Sequence, residues 1–325
     1  MLFHEVSSGG GDAQQEVVKI IRKEAPALEF VHFFVEPGGA ASLNKDGEIQ
    51  SQAGFRAINT DYAQKDQGNP SLASFALKIF GRTLQVDRGY GRRLGLRGGE
   101  DEAIAIGAEM GRQRRRFARN LGRNLNEFIL TGSTAVSALQ FNGIRRAVAT
   151  QQPASQTLDV LGDNGLQVLT GNDNTAKKSQ QAFVEALNEL ISSVAGGAQM
   201  LQMNSKVINR LSTIARDNVS STTDEFGRKI KTFNDVPLVP AGFRYDGTEL
   251  LPLTETVGTS TDCTTVVAMR SEEAAYWSFM TTPGGLYVYD AQLVGNFWEQ
   301  TVEFQLDSGE PLNSRSLAVL PGVRL

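Results

Sequence analysis

Scarcity of two residue types narrows the chemistry first. The 325-residue chain holds one cysteine, Cys263, and two histidines, His4 and His32. A lone thiol excludes an intrachain disulfide framework and any multi-cysteine metal site. With both histidines near the N-terminus, a nucleophile paired with a histidine base has almost no material, and no acid–base pair or metal cluster assembles from the remaining motifs. We therefore expect no enzymatic activity, no cofactor and no essential role for Cys263. His32, between Val31 and Phe33 in a strand-like run, reads as a structural or contact residue. Long apolar runs are also missing. No stretch approaches the ~20 apolar residues that span a bilayer, and the start of the chain lacks a basic segment leading into an apolar one. Neither membrane insertion nor secretion is expected, and one thiol suits a reducing cytoplasm.

What is present is a globular composition, 40% hydrophobic and 21% charged, with a formal charge of −4 and a pI near 5.4. That balance does not mark a dedicated nucleic-acid binder, yet arginine crowds between Arg82 and Arg123, so any basic surface is local.

The chain is organised around residues 100–131, which read as one long helix. Glu100, Asp101 and Glu102 put negative charge on its first turn, and Gly132 stands where a left-handed cap is wanted. Ile106, Met110, Phe117, Leu121, Leu125 and Phe128 share one stripe, and Arg112, Arg116, Arg119 and Arg123 the opposite side. At about 1.5 Å per residue the helix is roughly 45 Å long. Gly107, Gly111 and Gly122 inside it each cost about 1 kcal/mol relative to Ala, so packing must hold it and a bend is expected.

Around this strut the sequence predicts a short helix from Asp12 to Lys23 and a strand from Leu28 to Val35, together an arm too short to fold alone. Residues 50–95 predict a long hairpin with strands around Phe55–Tyr62 and Leu72–Asp87 and a polar tip at Gln64–Pro70. A two-stranded ribbon is marginal alone, so Phe55, Ile58, Tyr62, Leu77, Ile79, Leu84 and Val86 are candidates for burial on another subunit. Helices follow over Ser179–Val194 and Ser205–Arg216, with a strand at Ala198–Met203 between them. Strands are expected at Lys229–Phe233, Val236–Val239, Thr264–Met269, Leu286–Val294, Trp298–Leu306 and Leu317–Leu320. The order is mixed rather than a strict strand and helix alternation, which gives an α+β class.

Asn44, Asp46 and Glu48, and the oxygen-rich Asp163, Asn164, Asp173 and Asn174, lack full calcium-loop spacing and read as turns. Gly89, Gly91, Gly95, Gly98 and Gly99 lack a phosphate-loop ending and read as the passage from ribbon to helix. Arg92, Arg93, Arg97 and the helix arginines admit three accounts: phosphate contact without base readout, pairing with carboxylates of another chain, or a solvated face. Single-face spacing on an acidic chain favours the subunit contact.

Taken in order, these pieces resemble the major capsid protein of tailed bacteriophages, whose fold is shared with herpesvirus capsid floors and bacterial encapsulins. The resemblance rests on Phe75–Gly81 and Val86-Asp87-Arg88 leading into the long helix, then Gly132 and Phe141-Asn142-Gly143-Ile144. Met203-Asn204-Ser205, Asp235-Val236-Pro237-Leu238-Val239-Pro240 and Ser316-Leu317-Ala318-Val319-Leu320 continue it. It implies an N-terminal arm (1–49), an extended loop (50–95), a peripheral domain with its spine helix (96–197), an axial domain (198–290) and a return to the peripheral domain (291–325). Function would be assembly into pentamers and hexamers of an icosahedral shell around double-stranded DNA, formed in the host cytoplasm and residing in the virion. Implied partners are further copies of the chain, a separate scaffolding protein, a portal protein, a decoration protein and packaged DNA held non-specifically, with no membrane. The alternatives are an encapsulin-like compartment and a cytoplasmic DNA-binding protein using the arginine face.

Overall fold

The computed structural model describes residues 11–45, 72–94, 99–158, 169–223, 229–272, 276–308 and 310–325. Phe55, Ile58 and Tyr62 lie outside them, as do the predicted ribbon tip, Asp46, Glu48, Asp163 and Asn164.

In chain order the elements are α1 (Asp12–Glu24), β1 (Phe33–Val35), β2 (Ala40–Asn44), β3 (Leu72–Ala76), β4 (Lys78–Asp87), α2 (Tyr90–Arg93), α3 (Gly99–Thr131), α4 (Ile144–Gln151), α5 (Asn174–Ser193), β5 (Met200–Met203), α6 (Ser205–Ile214), β6 (Val219–Thr223), β7 (Lys229–Phe233), β8 (Val236–Pro240), β9 (Glu255–Val257), β10 (Ser260–Met269), β11 (Phe279–Val288), β12 (Gln292–Val294), β13 (Phe297–Asp307) and β14 (Leu317–Arg324). The predicted long helix is thus one element. Asp173 and Asn204 start α5 and α6 by accepting hydrogen bonds from the amides of Ala176 and Lys206.

Among the described residues two larger sheets and the β2–β3 pair divide the strands. The first runs β1-β11-β13-β12 with β4 also on β13; the second runs β14-β10-β5-β8-β7-β6 with β9 on β10. Among the described strands only β1–β11 and β5–β8 are parallel pairs. The second sheet is covered on both faces. Met200, Val239, Val267, Met269, Leu317 and Val319 pack into the core shared with α1, α3 and the first sheet. Leu201, Met203, Leu238, Val266, Ala268 and Leu320 alternate with them and face α5 and α6. Burial on both faces explains why Thr264–Met269 and Leu317–Leu320 read as continuous apolar runs.

Some expectations change. The strand expected from Leu72 to Asp87 breaks at Leu77: β3 pairs with β2, whereas β4 lies along β13 from Lys78–Leu306 to Asp87–Phe297. Leu84 and Val86, 7% and 3% exposed, therefore fill the chain's own core and are closed to any neighbour. Further along, β11 joins the first sheet and β14 the second, while α5 belongs to the second core. The arm helix forms where expected, and α1 finds its packing within the subunit, along α3, burying Val17, Val18 and Ile21. Finally, Gly132 does not adopt a left-handed backbone. A Cβ there would stand 2.5 Å from the Phe128 carbonyl oxygen and 2.7 Å from that of Phe141, so close approach of two backbones is what requires glycine.

Candidate assembly surfaces

The spine helix α3 holds α1 beside it in parallel. Glu16 accepts from Arg114 Nη2 (3.2 Å) and Arg115 Nε (2.6 Å), and Glu24 accepts from Arg123 Nε (2.8 Å). These guanidinium bonds, Arg115's foremost, hold the Glu16 carboxyl below the usual carboxylate range. Between the two ends Gly122 lets the helices touch, since a Cβ there would lie 3.0 Å from the Glu24 Cβ and 3.1 Å from the Ile21 carbonyl oxygen. The apolar stripe is placed as its period demands: Met110, Leu121 and Leu125 are buried, with Ile106, Phe117 and Phe128 packed at the margin.

The four arginines of the opposite crest are not equivalent. Arg112 clasps Glu109 through Nε (2.7 Å) and Nη2 (2.6 Å), and Arg123 is held by Glu24. Arg116 and Arg119 are exposed and make no ion pair or hydrogen bond among the described residues.

Glu109, 8% exposed, ties the ribbon root to the spine. It accepts from Arg112, from Gln113 Nε2 (3.1 Å) and from the Tyr90 hydroxyl of α2 (3.4 Å). The Arg112 bonds above all lower its pKa to about 2, against the opposing cost of desolvation. A carboxyl whose folded pKa lies below its unfolded value adds stability that is complete above the unfolded value near 4.5 and fades as pH falls toward about 2. Arg112 is itself 65% exposed at its side chain, so solvent screening limits the contribution to on the order of 1–2 kcal/mol. Glu109→Gln should lower thermal stability at pH 7, and the gap to the parent should shrink between pH 4.5 and pH 2; an unchanged gap across that range would show that the carboxylate charge is not what stabilises the root.

On β4, Phe80, Leu84 and Val86 face inward and Ile79, Thr83 and Gln85 outward. Ile79 is 66% exposed and open to a partner; Leu77 is half-buried beside Phe75, Met280 and Leu312. Gly81 sits against β13 so closely that a Cβ would fall 2.2 Å from the Val302 carbonyl oxygen. On the same outer face, Thr83 and Thr301 hydroxyls share a hydrogen bond and Gln85 Nε2 donates to Glu299 (2.7 Å).

Sequence reasoning missed one surface. After α3 the chain forms a loop in which Ser133 Oγ accepts from the Ala135 amide, Ser137 Oγ from that of Leu139, and Asn142 Oδ1 from that of Thr134. This hydrogen-bonded frame presents Val136 and Leu139 at 81% and 82% exposure. Its only sequence signal is two aliphatic residues among small polar ones with no period. An apolar groove of about 480 Å³ also opens between the end of α1 and the α6–β8 region, lined by Pro26, Phe30, Ile208, Ile230, Leu238 and Phe243.

Among the described residues no group of His, Cys, Asp and Glu could hold a metal, and no helix is long and apolar enough to cross a membrane. Cys263 is buried, and burial raises its thiol pKa. Cys263→Ser should cost about 1 kcal/mol for a buried hydroxyl and leave particle yield unchanged; loss of particles from a folded variant would reveal a role for the thiol.

No family model and no curated protein sequence matches the chain. Solved structures do. The capsid of an empty GTA particle matches with a TM-score of 0.57 at 13% identity over 92% of this chain and 90% of its own. The holo-SrpI encapsulin complex of Synechococcus elongatus matches with 0.53 at 16% identity over 93% and 89%. Microbacterium phage Oxtober96 matches with 0.52 at 12% identity over 91% and 90%. At such low identity these matches speak for the fold. The long spine helix, the ribbon root on the first sheet and the doubly covered second sheet are the fold of tailed-phage major capsid proteins, shared with encapsulins.

Proposed function

We propose that the chain is a structural shell subunit, the major capsid protein of a tailed bacteriophage, which assembles into pentamers and hexamers of an icosahedral shell enclosing double-stranded DNA. The observation that carries this reading is the extent of the likeness: a particle capsid matches over about nine-tenths of both chains. Rings of one chain need two different complementary faces per subunit. The outer face of β4 and the Val136–Leu139 loop are offered as those faces. A separate scaffolding protein, a portal protein and a decoration protein complete the expected partners, with assembly in the host cytoplasm. The equally extensive encapsulin match favours a second reading, a protein compartment without a genome.

Electron microscopy of the full-length protein, expressed alone and with a scaffolding protein from the same gene cluster, tests the proposal. Closed shells with five- and six-fold rings are expected, and double-stranded DNA inside shells from infected cells separates capsid from compartment. Unassembled protein under both conditions would refute both readings.

A further inference from the structure

The layer built from the first sheet and the spine helix carries opposite charge on its two surfaces. α3 turns its buried stripe to the inner face of the sheet, where the rings of Phe80 and Phe128 meet edge to face at 5.3 Å and Arg114 Nη1 donates to Gln300 Oε1 at 3.3 Å. The arginine crest on the opposite side of the helix therefore points away from the sheet. On β13, Glu299 and Glu303 alternate with the inward Gln300, Val302 and Phe304 and so point away from the helix. With Asp290 they line a cleft of about 310 Å³, and none of the three pairs with a cation among the described residues.

On the basic side Arg116 and Arg119 are exposed and make no ion pair among the described residues, as is true of Lys19 on the solvent side of α1, alongside them in the parallel seam. The crest from Arg112 to Arg123 extends about 16 Å along the helix, comparable to about five steps of a duplex at 3.4 Å per step. We propose that Lys19, Arg116 and Arg119 bind the phosphodiester backbone of a nucleic acid without reading its bases.

The competing occupant is the acidic sheet face of a second copy. In a shell one subunit thick, copies meet side by side. Surfaces that back each other through one layer then face opposite sides of the wall and do not meet laterally. The basic face would line the lumen, and the acidic face outside would repel the same polymer. This setting rests on the shell reading above; the binding itself does not.

The test is fluorescence anisotropy of the full-length protein with two unrelated duplex DNAs and a duplex RNA of equal length, titrated over salt. All three should bind alike, with log K falling linearly in log salt. Replacing Arg116→Gln and Arg119→Gln together should reduce that slope by about 2 and weaken binding at least tenfold at low salt, with circular dichroism unchanged. Glu299→Gln with Glu303→Gln should bind at least as tightly as the parent. Preference for DNA over RNA, or the reverse, would name the polymer and still support backbone binding. An unchanged salt slope in the arginine variant overturns the proposal, as does binding confined to one DNA sequence. Lower particle yield without nucleic acid, at unchanged anisotropy, would make the crest a subunit contact instead. Light scattering on the same samples reads assembly separately, so intact binding without particles would remove the shell reading and leave this inference standing.

Discussion

Gly143→Ala should unfold the subunit at a markedly lower temperature than the parent. The glycine closes the loop that follows the spine helix, its amide donating to the Gly132 carbonyl at 2.9 Å. A Cβ at position 143 would lie 2.4 Å from the Phe128 carbonyl oxygen, 2.8 Å from that of Ile129 and 2.8 Å from the Gly132 nitrogen. All three are backbone atoms, so no side-chain rotation relieves the overlap and the last turn of α3 must move. Overpacking of this kind costs about 3 kcal/mol, or a fall in Tm on the order of 4–5 °C for a chain of this length. Gly107→Ala is the matched control, because nothing lies within 4 Å of a Cβ there. It should raise stability by about 1 kcal/mol through helix propensity alone. Calorimetry of both variants checks the contrast; equal effects would mean that close backbone approach is not what selects Gly143.

Gly81→Ala should release the ribbon root from the sheet and cut particle yield sharply while the subunit stays folded. The new methyl group would meet the Val302 carbonyl oxygen at 2.2 Å and the Glu303 Cα at 2.8 Å, both on the neighbouring strand. The pairs from Lys78–Leu306 to Gly81–Glu303 must then part. Leu84 and Val86, further along β4, remain anchored in the core, which confines the damage to the end of the strand that leads to the ribbon. Hydrogen exchange should accelerate at residues 78–83 and stay slow at 84–87. Parent-like protection at 78–83, with a normal yield of particles, would show that the root's position does not matter to assembly.

How far the sequence carried these features depended on the range of the physics behind them. The spine helix was legible because Met110, Leu121 and Leu125 repeat at helical spacing, although the left-handed cap expected at Gly132 does not form. In the second sheet β5, β8, β10 and β14 were found as short apolar runs and β6 and β9 were not, while two-sided burial was visible only once helices appeared on both faces. The site was less legible. That β4 lies on β13 is a pairing across more than two hundred residues, set by shape in three dimensions, so Leu84 and Val86 looked like side chains in need of a neighbour. Local glycine rules assigned Gly122 and Gly132 to helix weakening and capping, whereas each marks a place where another backbone comes too near for a Cβ. The arginine crest was found as a set, yet its division into committed and free members depends on Glu24 of another helix and on Glu109 one turn away.

Size-exclusion chromatography with multi-angle light scattering on the full-length protein tests the shell assignment most directly. Closed particles of many copies are expected, eluting far ahead of the 35.2 kDa subunit. A stable monomer or dimer at high concentration, even with its scaffolding protein present, would contradict the assignment.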